Sequence, residues 1–98
     1  MKDYNFVMEC SACPEAYNIF DGTDLVAYFR YRHGYIEVYP YISDTDNIDW
    51  STIIYEEDYG DPRDGMFMPG EFEEKIKPKV IKALNKYFSD DEKIESIM

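Results

Sequence analysis

Through the first half of the chain, hydrophobic and polar positions alternate with period two; near its end they recur with a period close to four. The first pattern is that of half-buried strands, the second that of an amphipathic helix. Tyr4 to Glu9 is short and β-prone, and Cys10-Ser11-Ala12-Cys13-Pro14 is expected to break it. Ala16 to Asp21 reads as a second strand, closed by Gly22-Thr23-Asp24. Leu25–Arg32 and Tyr35–Tyr41 then flank His33-Gly34, and two linking residues with Gly second predict a tight hairpin.

The alternation assigns faces. Leu25, Ala27, Phe29 and Tyr31 fall on one side of the third strand, and Ile36, Val38 and Ile42 on one side of the fourth. These sides are expected to meet the core. The opposite face then carries Tyr28, Arg30, Arg32, Tyr35, Glu37, Tyr39 and Tyr41. Pro40 cannot donate to a ladder, which predicts that the fourth strand is an edge or ends near there.

Ser43 to Asp49 is a polar loop, and Trp50 to Asp58 is expected to contain a fifth strand, around Thr52-Ile53-Ile54-Tyr55. Tyr59 to Gly70 is turn-rich, with Met66-Phe67-Met68 as an apolar island expected to pack down. From Glu71 the period is helical: Phe72, Ile76, Val80, Leu84 and Phe88 recur every four residues. Glu71, Glu73 and Glu74 sit where a helix start favours anions, and Lys82 and Lys86 where its end favours cations. Pro78 implies a kink, or a helix that begins with Pro at its first position. Ser89-Asp90-Asp91-Glu92 has the form of a capping box opening a short terminal helix. The expected fold is a single α+β domain over 1–98: an antiparallel sheet of four or five strands, a C-terminal helix packed on one face, and a short terminal helix.

Composition narrows the function classes. The 98 residues carry 21 acids against 10 bases, a net charge of −11, with 45% hydrophobic and 17% aromatic residues. That is too much apolar content for a disordered acidic tail. No apolar run approaches the ~20 residues of a membrane span, and MKDYNFVMEC does not read as a signal peptide, so a cytoplasmic protein is expected. Net negative charge argues against direct nucleic-acid binding. The charge is also uneven: residues 1–43 carry −3, residues 44–74 carry −10 and residues 75–98 carry +2. Lys75, Lys77, Lys79, Lys82 and Lys86 come directly after the acidic stretch with no acid among them.

Three groups of residues could carry chemistry. Cys10-x-x-Cys13 has the spacing of half a zinc knuckle, completed only if His33 and a carboxylate or water joined it. The same spacing suits redox chemistry, although such sites need a helix starting at the motif, whereas Glu15 to Asp21 is β-prone. Free thiols in a reducing compartment are the third reading of the pair. Zinc is the only cofactor candidate, and none is required. His33 at a hairpin tip suits a turn residue that tolerates a left-handed conformation. With no nucleophile-elbow, P-loop, HExxH or dinucleotide motif, the chain reads as non-enzymatic.

The acidic residues Asp44, Asp46, Asp49, Glu56, Glu57, Asp58, Asp61 and Asp64 fail the calcium-loop pattern, since Ile48 and Asp49 fall where an oxygen ligand and Gly are needed. They remain either a solvated surface or a surface for a cationic partner. Tyr28, Arg30, Arg32, Tyr35, Tyr39 and Tyr41 have the composition of a binding hot spot, and equally that of ordinary cross-strand stabilisation with Glu37.

Cys10-x-x-Cys13-Pro14-Glu15-x-Tyr17-x-x-Phe20-Asp21-Gly22, followed by Tyr28-Phe29-Arg30-Tyr31-Arg32-His33-Gly34-Tyr35, resembles a pattern in small uncharacterised bacterial and phage-encoded proteins. The resemblance spans about the first 35 residues and implies a compact stand-alone domain of mobile-element origin; it brings no functional residue with it. These readings converge on a non-enzymatic acidic protein-binding module. In that reading it is a phage-type inhibitor of the anti-defence or anti-CRISPR kind, acting in the host cytoplasm. Its carboxylates would imitate DNA, with its one charge per ~1.7 Å, to block a basic nucleic-acid-binding surface. A zinc or redox domain built on Cys10 and Cys13, or a structural module that oligomerises through an edge strand or the Tyr/Arg face, are the alternatives.

Overall fold

The computed structural model describes residues 3–11, 15–42, 47–60 and 67–97, the last of these with side chains through Ser89. Among the described residues, six antiparallel strands form one sheet: β1 (Asn5–Ser11), β2 (Glu15–Asp21), β3 (Asp24–Arg32), β4 (Tyr35–Ile42), β5 (Asn47–Ile48) and β6 (Tyr55–Asp58). The first four are neighbours in chain order across the sheet. β5 and β6 share the far edge of β4, β5 beside Tyr41 and Ile42, β6 beside Tyr35 to Val38. A helix crosses one face, so the α+β architecture holds.

The β3–β4 hairpin turns on His33 (φ 53°) and Gly34 (φ 72°). Positive φ at both central residues matches the twist of the strands they join. From Ala27 onward the core face follows the predicted alternation: Ala27, Phe29, Tyr31, Ile36 and Val38 are buried, whereas Ile42 is 41% exposed at the strand's end. At the start of β3 the expectation is corrected: a register shift between Ile19 and Phe20 puts Val26, not Leu25, against the core. β1 continues through Cys10 and Ser11, absorbing the expected break in a bulge between Met8 and Cys10.

Pro40 does not mark an edge, because β4 is paired on both sides. Its carbonyl accepts the Asp49 N–H at 2.8 Å, so its missing N–H faces the same side, towards β5 and β6. There, residues between Asp49 and Ile54 leave the sheet, and the chain rejoins when the Ile54 N–H reaches the Val38 carbonyl at 2.8 Å. The proline therefore sits opposite an interruption in the ladder, where no donor is needed. The same interruption displaces the fifth strand. Thr52 and Ile53 of the β-branched stretch lie in the excursion, Ile54 rejoins, and ladder pairing resumes with the acidic Tyr55–Asp58.

On the helical side, a π-helical turn over Phe72–Ile76 leads into α1 (Lys77–Ile97). A four-residue repeat advances by about 40° per step on an ordinary α-helix. The wider π turn lags instead, which keeps Phe72 and Ile76 on the face of Val80 and Leu84. It also lies directly before Pro78, whose ring would crowd the carbonyl of an ordinary preceding turn. Phe72 is 5% exposed, and Ile76, Val80 and Leu84 are fully buried. They pack with Tyr17, Ile19, Phe29 and Val38. The helix runs past Ser89 without a break, so the capping box opens no separate helix, and Lys82 and Lys86 lie mid-helix. Continuing an established helix costs far less than stopping and nucleating another.

Of the apolar island, Phe67 packs down, stacked on Tyr31 with centroids 4.3 Å apart, while Met68 is 72% exposed. Met68 turns outward where its N–H bonds Glu71 Oε1 at 2.9 Å. Met66 lies outside the described residues. Phe67 is fixed by Glu15, a buried carboxylate that accepts its N–H at 3.0 Å and the Tyr17 hydroxyl at 2.5 Å.

Candidate protein-binding face

The face that the helix leaves uncovered is built of cross-strand rows. Register places Val7, Asn18, Tyr28 and Tyr39 in one row, Cys10, Ala16, Arg30, Glu37 and Glu56 in the next, and Arg32, Tyr35 and Asp58 in a third. Opposing residues of antiparallel strands share a face, so the predicted Tyr/Arg side is assembled as the alternation requires.

Its centre is more closed than alternation alone implies. Trp50, carried by the excursion opposite Pro40, folds back over the sheet. Its ring lies 4.9 Å from Tyr39 and 6.0 Å from Tyr28, both edge-on, and the Arg30 guanidinium sits 4.9 Å from its centroid. Arg30 Nε donates to Glu37 Oε1 at 3.0 Å, and the Tyr39 hydroxyl donates to the other oxygen of Glu37. Trp50 itself stays 53% exposed, whereas Tyr39 is 5% exposed beneath it. Asp49 steadies the excursion by accepting the Ser51 N–H at 3.1 Å and its hydroxyl at 2.6 Å.

Charge at this centre is balanced internally. Burial pushes the Glu37 carboxyl up, but the Tyr39 hydroxyl and Arg30 outweigh it and hold the group below its ordinary value. Burial raises Tyr39, and Glu37 raises it further. Tyr28 is also raised, chiefly by burial, against the pull of Arg30. Hydrogen bonds from Ser51 hold Asp49 low. All of these favour a neutral tyrosine and an ionised carboxylate across ordinary pH, so the cluster does not titrate there.

Of the acidic candidates, Asp49, Glu56, Glu57 and Asp58 are described; Asp44, Asp46, Asp61 and Asp64 lie outside the described residues, as does Cys13. Glu56 and Asp58 share the uncovered face, where the Tyr35 hydroxyl donates to Glu56 Oε1 at 2.6 Å. That bond, with burial, pushes Tyr35 up to about 12. Glu57 points to the other side, accepts the Tyr55 hydroxyl and meets Lys79 at 3.3 Å. Adjacent strand residues face opposite ways, so the Glu56-Glu57-Asp58 run is split between the two faces and forms no single row. Tyr41 is half-buried and Arg32 exposed on the uncovered face.

A second pattern accompanies the charge. Among the described residues, tyrosine hydroxyls donate to Glu15, Glu37, Glu56, Glu57 and Glu71. In three of these pairs the partners stand two residues apart on one strand, Glu15/Tyr17, Glu37/Tyr39 and Tyr55/Glu57, where period two puts them side by side. That spacing is visible in the sequence and is the signal that identifies Glu15. Trp50 has no such signal beyond Pro40, because only the paired strands disclose where the ladder opens.

Cys10 is exposed on β1, and among the described residues no group of three or more His, Cys, Asp or Glu is arranged to hold a metal ion. A groove of ≈ 370 Å³ is lined by Ile54, Ala83, Lys86 and Tyr87, with no nucleophile and base together. No described helix is long and apolar enough to cross a membrane. No family model matches the chain, and neither the curated proteins nor the solved structures compared with it gave a match.

Proposed function

We propose that this chain is a non-enzymatic protein-binding module whose uncovered sheet face engages a basic surface on a protein partner, a surface of the kind that ordinarily binds nucleic acid. One observation carries the reading: a half-exposed Trp50 is held over Arg30, Tyr28 and Tyr39 on a face that also carries the carboxylates of Glu9, Glu56 and Asp58. Tryptophan, tyrosine and arginine are the side chains that dominate interface energetics, and a pre-packed cluster loses little entropy on binding. The surrounding carboxylates and the net −11 steer a cationic partner into encounter, an attraction that falls steeply with salt.

In this reading Arg30 is not a contact for an acidic partner, because Glu37 already occupies it. It serves as the platform that orients Trp50. An inhibitor of a nucleic-acid-binding protein fits the arrangement, with Trp50 as anchor and the acids as its rim. The test is competition. A panel of basic nucleic-acid-binding domains, each with and without its DNA or RNA, is assayed at low salt against the parent chain and Trp50→Ala. The reading expects at least one domain to be bound, nucleic acid to displace the chain, and Trp50→Ala to weaken binding by about 2 kcal/mol or more. Absence of binding across the panel at low salt, or binding indifferent to Trp50→Ala, overturns it.

A further inference from the structure

We propose that the outer edge of β1 receives an extended basic segment of the partner, which adds to the sheet as a further strand; the proposal rests on the cationic-partner reading above. β1 ends the strand order, and among the described residues no strand pairs with its outer side. Natural edge strands are blunted by brevity, lysine or proline. β1 has seven residues, neither lysine nor proline, and six exposed positions. The opposite edge is protected: β6 has four residues, three of them acids.

The chemistry beside β1 differs between the two faces. On the uncovered face, Glu9 is exposed and anchored by Asn18 Nδ2 at 2.8 Å, with Val7 46% exposed next to it. On the helix side, Phe6 is half-buried and Met8 is 51% exposed. Lys77, which lies over Phe6, is paired with Glu73 at 3.3 Å. An incoming strand with arginine or lysine at alternate positions sets its cations beside Glu9 and its apolar residues beside Phe6 and Met8. Main-chain hydrogen bonds supply affinity and the alternation supplies specificity. A second copy of the chain suits the edge poorly, because it brings two −11 molecules together along seven residues.

The probes are two capped octapeptides of equal charge, one alternating arginine with valine, the other arginine with proline, which donates no N–H at alternate positions. Binding is followed by amide chemical shifts and hydrogen exchange across the chain at low salt. The arginine–valine peptide is expected to bind at least about tenfold more tightly and to slow exchange of β1 amides. Val7→Lys, which adds an edge cation without touching the core, is expected to erase that difference while amide shifts elsewhere stay in place. Equal binding of both peptides without β1 protection overturns the edge proposal and leaves the cationic-partner reading standing. Failure of both peptides to bind removes that reading as well. Protection of β1 that grows with protein concentration in the absence of peptide assigns the edge to self-association and overturns the proposal.

Discussion

Replacing Glu15 with alanine removes the acceptor that two buried donors share. The Phe67 N–H, at 3.0 Å, and the Tyr17 hydroxyl, at 2.5 Å, lose their partner in a region where Glu15 is 5%, Tyr17 7% and Phe67 7% exposed. Each stranded donor costs about 1–3 kcal/mol, and relief from burying a carboxylate offsets part of this, leaving a loss of about 2–4 kcal/mol. That is a large share of the ~5–15 kcal/mol by which domains are stable. Glu15→Gln retains an oxygen for Phe67 and places an amide donor against the Tyr17 oxygen, so it is expected to cost about 1 kcal/mol. Urea unfolding measures both. With a slope near ~1.5 kcal/mol/M, a loss of about 3 kcal/mol moves the midpoint by about 2 M at constant slope. The stacking of Phe67 on Tyr31 is expected to loosen in step, visible as faster exchange at the Phe67 amide. A Glu15→Ala midpoint within about 0.3 M of the parent would refute the assignment of Glu15 as the acceptor that holds this loop.

The same geometry sets three further outcomes. Tyr35, Tyr55 and Tyr59 are each raised to about 12, Tyr35 and Tyr59 first by their carboxylate partners and Tyr55 first by burial, against an unperturbed 10. The unfolded chain therefore releases protons that the folded chain keeps, so stability is expected to fall as pH rises from about 10 to about 12 and to be unaffected by these groups below that, as thermal unfolding across pH will report. On the acid side, Glu71 is held low by the Tyr59 hydroxyl and the Met68 N–H, and Glu37 by Tyr39 and Arg30 against its burial. Their contribution is present above the ordinary carboxylate range and disappears as pH falls through it, and Tyr59→Phe should shrink the Glu71 share in the same assay. Leu84→Ala, at a fully buried helix position, is expected to cost about 2–5 kcal/mol in urea unfolding, whereas Trp50→Ala, at 53% exposure, should cost about 1 kcal/mol and act on binding instead.

The period of the hydrophobic pattern carried most of the fold, because alternation and four-residue spacing report directly on which face is buried. Phe29, Ile36, Val80 and Leu84 lie in the core where that pattern put them. Features that depend on long-range pairing were not legible. Pro40 reads as an edge signal until β5 and β6 are seen to part opposite it, and the β-branched Thr52–Ile54 gives up strand pairing to the acidic Tyr55–Asp58 for the same reason. The capping box at Ser89 is a correct local signal overruled by a helix already propagating. At the candidate face, Tyr28, Arg30, Glu37 and Tyr39 were legible as one side of a hairpin. Trp50 was not, since nothing local says that it turns back over Arg30. Whether the acidic stretch shares one face was not legible in the sequence, and strand alternation sends Glu56 and Glu57 to opposite sides and gives Glu57 to Lys79.

Trp50 is the only tryptophan in the chain, so its emission reports on the proposed anchor alone. The decisive titration adds a basic nucleic-acid-binding domain to the protein while that emission is followed, at low and at physiological salt. A saturable change in Trp50 emission is expected at low salt, weakened as salt rises and reversed by the domain's own nucleic acid. Binding detected by another probe with Trp50 emission unchanged, or an affinity indifferent to salt, would contradict the assignment of Trp50 as the anchor of an acid-rimmed binding face.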